Sequence, residues 1–380
     1  MKRRSFLTTA GAGGVAALTG CLGDGGATTA DEGTTTTGGT TANETGTTTG
    51  TAGGETPELV VATYGAFVDA PSTSPGPWLK DAFESEFDAT IRYETPDSEV
   101  NYYIERAARG VDIPADLYVG LDVNMLIRID ENLDAPLFAP VDGLERRDTV
   151  KESLEFDPQG RAVPYDTGYI CLVFDETFGD GDFAAPATFD GLLEDQFAGD
   201  LLTQNPVSSA TGKAFLLHTV AAKGRDGFLD YWQGLKENDV RVLEDWSTSY
   251  TAYSNGEAPM VVSYSTDQVY AHDSGEDLAK HQLRFLNDQG YANPEGMAMF
   301  ESTDRPELAR TFMDFVLRPD VQAEIAVRNV QYPATTTAEL PESFAKYAQE
   351  PPEAVTFNYD TLRDNLSEWT SAWERQFVGN

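Results

Sequence analysis

Basic residues are scarce in this chain of 380 residues, and lysine is rarer than arginine. Lys and Arg number 26, of which eight are Lys, against 63 Asp and Glu, so the formal net charge is −37. A nucleic-acid-binding surface needs a basic stripe, so we expect no nucleic-acid partner. Acid spread over all surfaces with little lysine is typical of a protein that lives in concentrated salt, and we expect a halophilic origin.

Cysteine and histidine are also rare. Cys171 lies in the apolar segment GYICLVF, where a free cysteine is commonly buried, and it has neither the base nor the exposed turn that a nucleophile needs. His218 lies in an apolar helical segment and is expected in the core. His272 and His281 flank a polar loop and show no metal-ligand spacing. We therefore expect no catalytic residue, no metal and no cofactor.

Long hydrophobic runs are absent as well, because the apolar stretch near the start is too short to span a membrane. In MKRRSFLTTAGAGGVAALTGC, Arg3 and Arg4 precede that stretch as in a twin-arginine export signal, and Leu-Thr-Gly-Cys at 18–21 matches a lipoprotein cleavage box. We predict removal of residues 1–20, lipid on Cys21, and attachment to the outer face of the cytoplasmic membrane. Residues 21–57, mostly Thr and Gly, predict a disordered tether.

The rest of the chain alternates strand-like and helix-like segments, which predicts an α/β fold. Strands are predicted at 58–64, 89–94, 115–121, 161–175, 200–206, 240–245, 259–265, 283–287 and 296–302. Helices are predicted at 78–87, 100–110, 124–133, 187–194, 213–224, 228–237, 305–317, 321–329 and 361–377. The order of the first three strand–helix pairs predicts a parallel, doubly wound sheet. The last two predicted strands, 283–287 and 296–302, are expected to be return strands.

Two α/β sets on an exported chain predict a bilobed binding protein with a ligand crevice between two doubly wound lobes. We assign residues 58–165 with 290–380 to the first lobe and 166–289 to the second. The loop 207–212 is rich in small residues and begins a helix, so its backbone N–H groups suit anions and hydroxyl oxygens, although helix capping would favour the same residues. Asp122 ends a strand toward the crevice and is a further candidate contact.

Eight short segments then match one family in order. They are ATYGAF (62–67), PGPWLKDAFE (75–84), ADLYVGLDVN (115–124), VPYDTGYICLVFD (163–175), QNPVSSATG (204–212), DWSTSY (245–250), VVSYSTD (261–267) and SEWTSAWER (367–375). From Glu58 to its end the chain resembles the thiamine-binding subunits of bacterial ABC importers. The resemblance implies a type II periplasmic-binding-protein fold, thiamine or its mono- or diphosphate as ligand, and an ABC permease as partner. We expect a monomer.

The resemblance also implies a ligand-binding set of aromatic, hydroxyl and acidic side chains. In it, Ser209 and Ala210 match the loop that touches the hydroxyethyl or phosphate end of the ligand. The implied contacts are Tyr64, Ser98, Glu99, Ser209, Ala210, Trp246, Tyr264, Ser265, Thr266, Asp267 and Tyr270. Two positions depart from the family pattern, since Gly65 stands where the family has Asp and Val330 stands where it has a stacking Trp.

The segments 245–250 and 261–270 place large rings among polar neighbours, which suits a flat cation such as thiamine. The face of an aromatic ring attracts a cation by about 0.5–2 kcal/mol, and a nearby carboxylate balances the buried charge. Trp246 and Tyr264 are the expected ring contacts. Tyr250 and Tyr253 are expected to pack a helix face instead.

Two alternatives stay open. The ligand could be another small cation, a polyamine or Fe(III), and Tyr102-Tyr103 is similar to the paired tyrosines of ferric-binding relatives, although helical packing explains that pair as well. In a different class, a thiamine-degrading enzyme on a related scaffold would require a cysteine nucleophile in the crevice, for which Cys171 is the candidate in the mature domain.

Overall fold

The computed structural model describes residues 56–70, 73–179 and 181–377. The predicted leader and Cys21 lie outside the described residues, as does the predicted tether apart from residues 56 and 57. Within the described ranges, no helix is long and apolar enough to cross a membrane.

The strands of the described chain form one mixed sheet along the path β2-β1-β3-β10-β5-β8-β6-β7, with four short strands beside it. Their bounds are β1 Glu58–Ala62, β2 Thr90–Glu94, β3 Leu117–Leu121, β4 Phe138–Ala139, β5 Ala162–Phe174, β6 Leu201–Gln204, β7 Arg241–Leu243, β8 Met260–Tyr264, β9 Gln282–Arg284, β10 Gln289–Phe300, β11 Tyr332–Pro333 and β12 Glu353–Val355. Each predicted strand corresponds to one of these, with ends that differ by a few residues, except that β10 begins seven residues before the predicted strand 296–302.

Helices cover both faces of this sheet. They are α1 Gly65–Val68, α2 Pro75–Glu86, α3 Val100–Ala108, α4 Val123–Asn132, α5 Ala210–Lys223, α6 Phe228–Glu237, α7 Trp246–Ser254, α8 Asp267–Ser274, α9 Pro306–Val316, α10 Pro319–Asn329, α11 Glu342–Tyr347 and α12 Tyr359–Phe377. Because helices cover both faces, the central strands read as nearly continuous apolar runs rather than as alternating ones.

Two parallel strand groups are joined by one antiparallel pair of long strands. β1 lies parallel to β2 and β3, and β6 lies parallel to β7 and β8, as the strand–helix order predicts. β10 runs antiparallel to β3 through Gly296–Met299 and to β5 over most of its length. β5 in turn pairs with β8 through Ile170–Phe174. The predicted return strand at 296–302 is therefore confirmed, and it is the end of a longer crossing strand.

One local prediction was wrong. The segment 187–194, predicted as a helix, contains a short 3₁₀ turn at Asp190–Leu193, and a second turn at Asp195–Phe197 follows it. The segments that begin at Trp246 and Asp267 are also helices, although neither was given helix bounds from the sequence. Both helices are short and mostly polar, so their apolar periodicity is weak, although Asp245 caps α7 through a bond from the Thr248 amide.

The C-terminal helix α12 packs against both α4 and α6. Its apolar face, predicted from helical spacing, is buried at Leu362, Leu366, Trp369 and Trp373. Trp373 is 1% exposed and contacts the Trp232 ring at 5.4 Å. α6 belongs to the predicted second lobe and α4 to the first, so this helix touches elements from both. The lobe boundaries themselves stay a prediction.

We expect Trp373→Ala to lower the free energy of unfolding by about 3–5 kcal/mol, because it empties a buried aromatic site. Chemical denaturation at constant salt, followed by far-ultraviolet circular dichroism, measures the change. Trp246→Ala is the matched control, since Trp246 is 39% exposed and its loss should cost about 1 kcal/mol. Equal losses in the two variants would contradict the packing of α12.

Candidate ligand-binding site

Two acidic side chains lie opposite each other on the neighbouring antiparallel strands β5 and β10. Asp166 and Glu295 are directly opposite in the antiparallel register, next to a register shift between Glu295 and Gly296. Side chains of directly opposite residues lie on the same face of a sheet, with Cβ atoms about 5 Å apart. The strand register therefore holds two carboxyl groups side by side in the middle of the sheet.

Neutral donors bind this acid pair. The Tyr165 hydroxyl donates to Glu295 Oε2 at 2.8 Å, and Asn329 Nδ2 donates to Asp166 Oδ2 at 2.7 Å. Asn329 also accepts from the Tyr64 hydroxyl at 3.3 Å. The other carboxyl oxygen of Asp166, Oδ1, is buried and has no hydrogen-bond partner among the residues that the structure describes.

Both carboxyl groups hold their protons more tightly than usual. Burial raises the pKa of Glu295 to about 7; the hydrogen bond from Tyr165 opposes the shift, and the negative charges of Asp122 and Glu99 add to it. Burial also raises the pKa of Asp166, and the charge of Glu295 raises it further. These shifts place Glu99 and Asp122 in the electrostatic environment of the pair. Asp166 and Glu295, which we call the floor of the predicted crevice, therefore favour a positive charge near them.

Two glycines let tyrosine rings close around this floor. A Cβ atom at Gly120, where φ is +93°, would lie 2.5 Å from the Tyr64 ring. A Cβ atom at Gly168 would lie 2.5 Å from both the Tyr264 ring and the Gln331 side chain. Any larger residue at either position would displace the tyrosine, so glycine sets the position of both rings.

A cavity of about 320 Å³ adjoins the starts of α3, α4 and α5. Its lining includes five residues that the sequence predicted as ligand contacts: Ser98, Glu99, Asp122, Ser209 and Ala210. Arg128 and Lys213 also line it. A second cavity of about 410 Å³, between β7 and α7, is lined by none of the predicted contacts.

Helix caps explain part of this lining. Ser209 accepts from the Gly212 amide at 3.3 Å and Asp122 accepts from the Met125 amide at 2.7 Å, so both side chains cap helices that begin at the cavity. Tyr264 joins the same region, because its hydroxyl lies 3.2 Å from the Thr211 hydroxyl. Burial raises the pKa of Tyr264 to about 12. The phenol therefore stays neutral at physiological pH.

Two residues with strained backbones lie in this region. Glu99 and Val330 have backbone φ values of 48° and 52°, which residues other than glycine rarely adopt. Such strain costs about 1–3 kcal/mol and concentrates at functional sites. Val330 packs in an apolar cluster beside Tyr332. Its backbone conformation separates Asn329 from Gln331, which both reach the crevice floor.

The structure places Trp246 on a different face of β8 from Tyr264. Trp246 Nε1 donates to the Ser263 hydroxyl at 3.0 Å, and its ring stacks on Tyr250 at 4.8 Å. Consecutive strand residues point to opposite faces, so Ser263 and Tyr264 separate these two aromatic groups. Tyr253 is buried on the same helix, α7, as predicted for a packing residue.

His281 follows the polar segment 275–280, as expected, and its side chain has acidic partners that the sequence did not indicate. The side chain is buried, with Nδ1 2.7 Å from Asp267 Oδ2 and Nε2 3.0 Å from Glu276 Oε2. The Tyr250 hydroxyl donates to the other Asp267 oxygen at 2.6 Å. Asp267, a predicted ligand contact, thus has both carboxylate oxygens engaged inside the protein.

The remaining predicted contacts lie around the start of α8. Ser265 is fully buried, and its backbone amide donates to the Tyr169 carbonyl at 2.9 Å. Thr266 is buried as the residue before α8, and Tyr270 is half-buried on that helix. None of these three lines the cavity that contains Ser209, and their ligand roles stay predictions.

Other expectations about single residues are confirmed. Cys171 is a free, buried cysteine, and burial raises the pKa of its thiol. His218 is buried, and burial lowers its pKa to about 3. Tyr102 and Tyr103 pack edge to face on α3.

In the described residues, no group of three or more His, Cys, Asp or Glu side chains is arranged to hold a metal ion. The expectation of no metal stays a prediction.

Comparison with known proteins adds to this geometry. A family profile described as bacterial extracellular solute-binding protein matches residues 78–352, more than half of the chain. The chain belongs to this family. The solute-binding protein is 28% identical over 323 residues to the thiamine-binding periplasmic protein of Escherichia coli (strain K12), with 84% of this chain and 93% of that protein covered.

Solved structures show the fold of this solute-binding protein. A periplasmic thiamin binding protein is 26% identical with a TM-score of 0.72, covering 84% of this chain and 96% of that chain. A ferric binding protein from Campylobacter jejuni is 16% identical with a TM-score of 0.68, covering 84% and 99%, and this likeness shows the fold alone. The predicted α/β periplasmic-binding-protein fold is confirmed.

Sequence reasoning missed the acid pair of the solute-binding protein. Asp166 stood within a predicted apolar strand, and Glu295 fell just before a predicted one. An acidic residue inside an apolar strand is itself a signal, because charged side chains are almost never fully buried without a role or a partner. The register that pairs the two residues was not visible in the sequence.

The ion pairs of His281 predict a pH dependence of stability in the solute-binding protein. Burial lowers the pKa of His281, but hydrogen bonding to Asp267 and the charges of Asp267 and Glu276 outweigh burial and raise it. The resulting stabilisation is full below the unfolded pKa of about 6.5 and is lost as pH rises through the folded pKa. We expect His281→Gln to remove this fall in unfolding free energy.

Denaturant titrations across this pH range, in constant salt, measure the effect. His272→Gln is the matched control, because His272 is an exposed histidine nearby and should leave the fall intact. A His281→Gln profile that parallels the wild-type profile at every pH would contradict the assignment.

Proposed function

We propose that this solute-binding protein binds thiamine, or its mono- or diphosphate, outside the cytoplasm and delivers it to an ABC permease. The observation that carries the proposal is the acidic crevice floor flanked by Tyr64 and Tyr264. Thiamine joins a permanently charged thiazolium to a flat aminopyrimidine. A tyrosine face attracts such a cation, and carboxylates oppose the cost of burying its charge.

The rim of the crevice suits the other end of the same molecule. Ser209 and Ala210 lie at the start of α5, a helix of 14 residues, where backbone N–H groups favour hydroxyl or phosphate oxygens. Lys213 and Arg128 line the same cavity. Burial lowers the pKa of Lys213 while the charge of Asp122 opposes the shift. In this proposal the ligand lies with its cationic ring over the floor and its hydroxyethyl or phosphate end toward Lys213.

The names of the relatives support thiamine over the other cations. The Escherichia coli relative covers most of both chains and is named for thiamine, whereas the ferric binding protein shares the fold at 16% identity. A polyamine or Fe(III) remains a competing ligand to be measured. The thiamine-degrading alternative is disfavoured, because Cys171 is buried and follows Asp166 by five residues on β5, which points the two side chains to opposite faces.

We infer the cellular setting from the leader and the charge. Arg3 and Arg4 support twin-arginine export, and Cys21 supports a lipid anchor on the outer face of the cytoplasmic membrane. The acidic surface supports a halophilic habitat. A monomer with lobes at 58–165 plus 290–380 and at 166–289 is the arrangement we propose for delivery to the permease.

A titration tests the proposed ligand. We expect micromolar thiamine to quench tryptophan fluorescence of the mature domain at high salt, and we expect spermidine and Fe(III) to leave it unchanged at the same concentration. Thiamine mono- and diphosphate form two further arms. Isothermal calorimetry on the same samples gives the stoichiometry. Saturable binding of spermidine or Fe(III) without thiamine binding would overturn the proposal.

Two aromatic variants locate the ligand within the protein. We expect Tyr264→Ala to weaken thiamine binding by at least about 1 kcal/mol, the scale of a contact between a cation and a ring. Trp246→Ala tests the sequence prediction for a ring that lies on the other face of β8, and a loss of the same size would return Trp246 to the site. Tyr347→Ala is the matched control, since Tyr347 is also half-buried and stacks on His272 outside the cavity. Calorimetric dissociation constants measure all three. An unchanged constant for Tyr264→Ala removes that ring from the site.

A further inference from the structure

The acid pair Asp166 and Glu295, on the paired strands β5 and β10, lacks a charged partner. No ion pair to Asp166 or Glu295 occurs within residues 56–70, 73–179 and 181–377, and the groups bound to them are the neutral Asn329 and Tyr165. Two like charges directly opposite each other on adjacent strands destabilise a sheet. The fold nevertheless keeps both acids opposite each other on one face of the sheet.

The groups that face Glu295 from neighbouring elements increase the negative charge rather than balance it. Glu99 at the start of α3 and Asp122 at the start of α4 are both close enough to act on it. The tyrosines that surround it, Tyr64, Tyr118, Tyr165 and Tyr264, are neutral phenols. The cations of the region, Arg128 and Lys213, lie at the rim with Asp122.

One carboxyl oxygen of the pair, Asp166 Oδ1, is available to bind a ligand. Asp166 is 1% exposed, and its Oδ1 atom is buried without a hydrogen-bond partner in the described part of the chain. A buried carboxyl oxygen without a partner normally costs about 1–3 kcal/mol or more. A group that binds in the crevice, or a proton on one of the two acids, would remove this cost.

We propose that Asp166 and Glu295 form a counter-ion pair that shares one proton in the unliganded protein and releases it to the solvent when a cationic ligand binds. The proposal rests on the proposed function for the identity of the cation. It follows from the geometry, because two adjacent carboxyl groups in a buried site hold one proton between them when no cation is present. A permanent positive charge above the pair stabilises both carboxylates, so the proton leaves.

The proposal makes binding depend on pH in a defined direction. Burial raises the pKa of Glu295 to about 7 and also raises the pKa of Asp166, so the pair still holds a proton at neutral pH. The affinity for thiamine should therefore increase with pH, by up to about tenfold per pH unit while binding displaces one proton, and level off once both acids are ionised in the unliganded protein. Proton release should be close to one per ligand at neutral pH and fall at the alkaline end of the profile.

Calorimetry in buffers of different ionisation enthalpy counts the released protons directly. We expect wild-type protein to show the release, and Glu295→Gln to lose it together with the pH dependence of the dissociation constant. Thiamine can take up a proton itself, and the difference between the two proteins cancels that contribution. Asp166→Asn is a second variant with the same expectation. Glu301→Gln is the matched control, because Glu301 is an exposed acid next to the end of β10.

Infrared spectroscopy of the unliganded protein tests the shared proton without any ligand. We expect a protonated carboxyl band at about pH 6 that Glu295→Gln alters and Glu301→Gln leaves unchanged. Thiamine binding with no proton release and no pH dependence overturns the inference and leaves the proposed function standing. Failure of thiamine to bind at any pH overturns the proposed function and the release step, while absence of the band overturns the shared proton.

Discussion

The antiparallel pairing of β5 with β10 is the contact on which the rest of the structure depends. One end of β10 carries β3 and its parallel neighbours, and β5 carries β8 and the other parallel group. A shift of one residue in this pairing would turn every side chain of the strand to the other face, because the side-chain period of a strand is two. The same register that joins the two groups therefore also fixes which side chains face the crevice between them.

That register brings together groups that are distant in the sequence. Asp166 and Glu295 are opposite each other only because β5 and β10 align over many residues. Gly168 then lies two residues along the same face, where its missing side chain leaves room for Tyr264. Strain at Val330 holds the segment that contributes Asn329. The crevice is thus a consequence of strand pairing, and its acidic floor is a cost that the pairing imposes on the unliganded protein.

The aromatic residues divide according to the face of β8 that they occupy. Trp246 and Tyr250 stack beside Ser263, whereas Tyr264 points to the other face and meets Thr211. In the sequence all of these rings lie within twenty residues and share polar neighbours, which is why Trp246 and Tyr264 were both predicted to contact one ligand. Alternation along a strand of five residues is enough to separate them.

The sequence by itself determined the alternation of strands and helices, the buried face of α12 and the presence of a helix after Asp122 and after Ser209, although α4 and α5 begin earlier than the predicted 124 and 213. These features depend on local periodicity and capping, which neighbouring residues encode. The tertiary structure alone decided the partner of each carboxyl group. His281 and Asp267 are 14 residues apart in the sequence, and only folding brings them together as an ion pair. Asp166 and Glu295 became the crevice floor because strand register, which depends on distant residues, sets the neighbours of a buried charge.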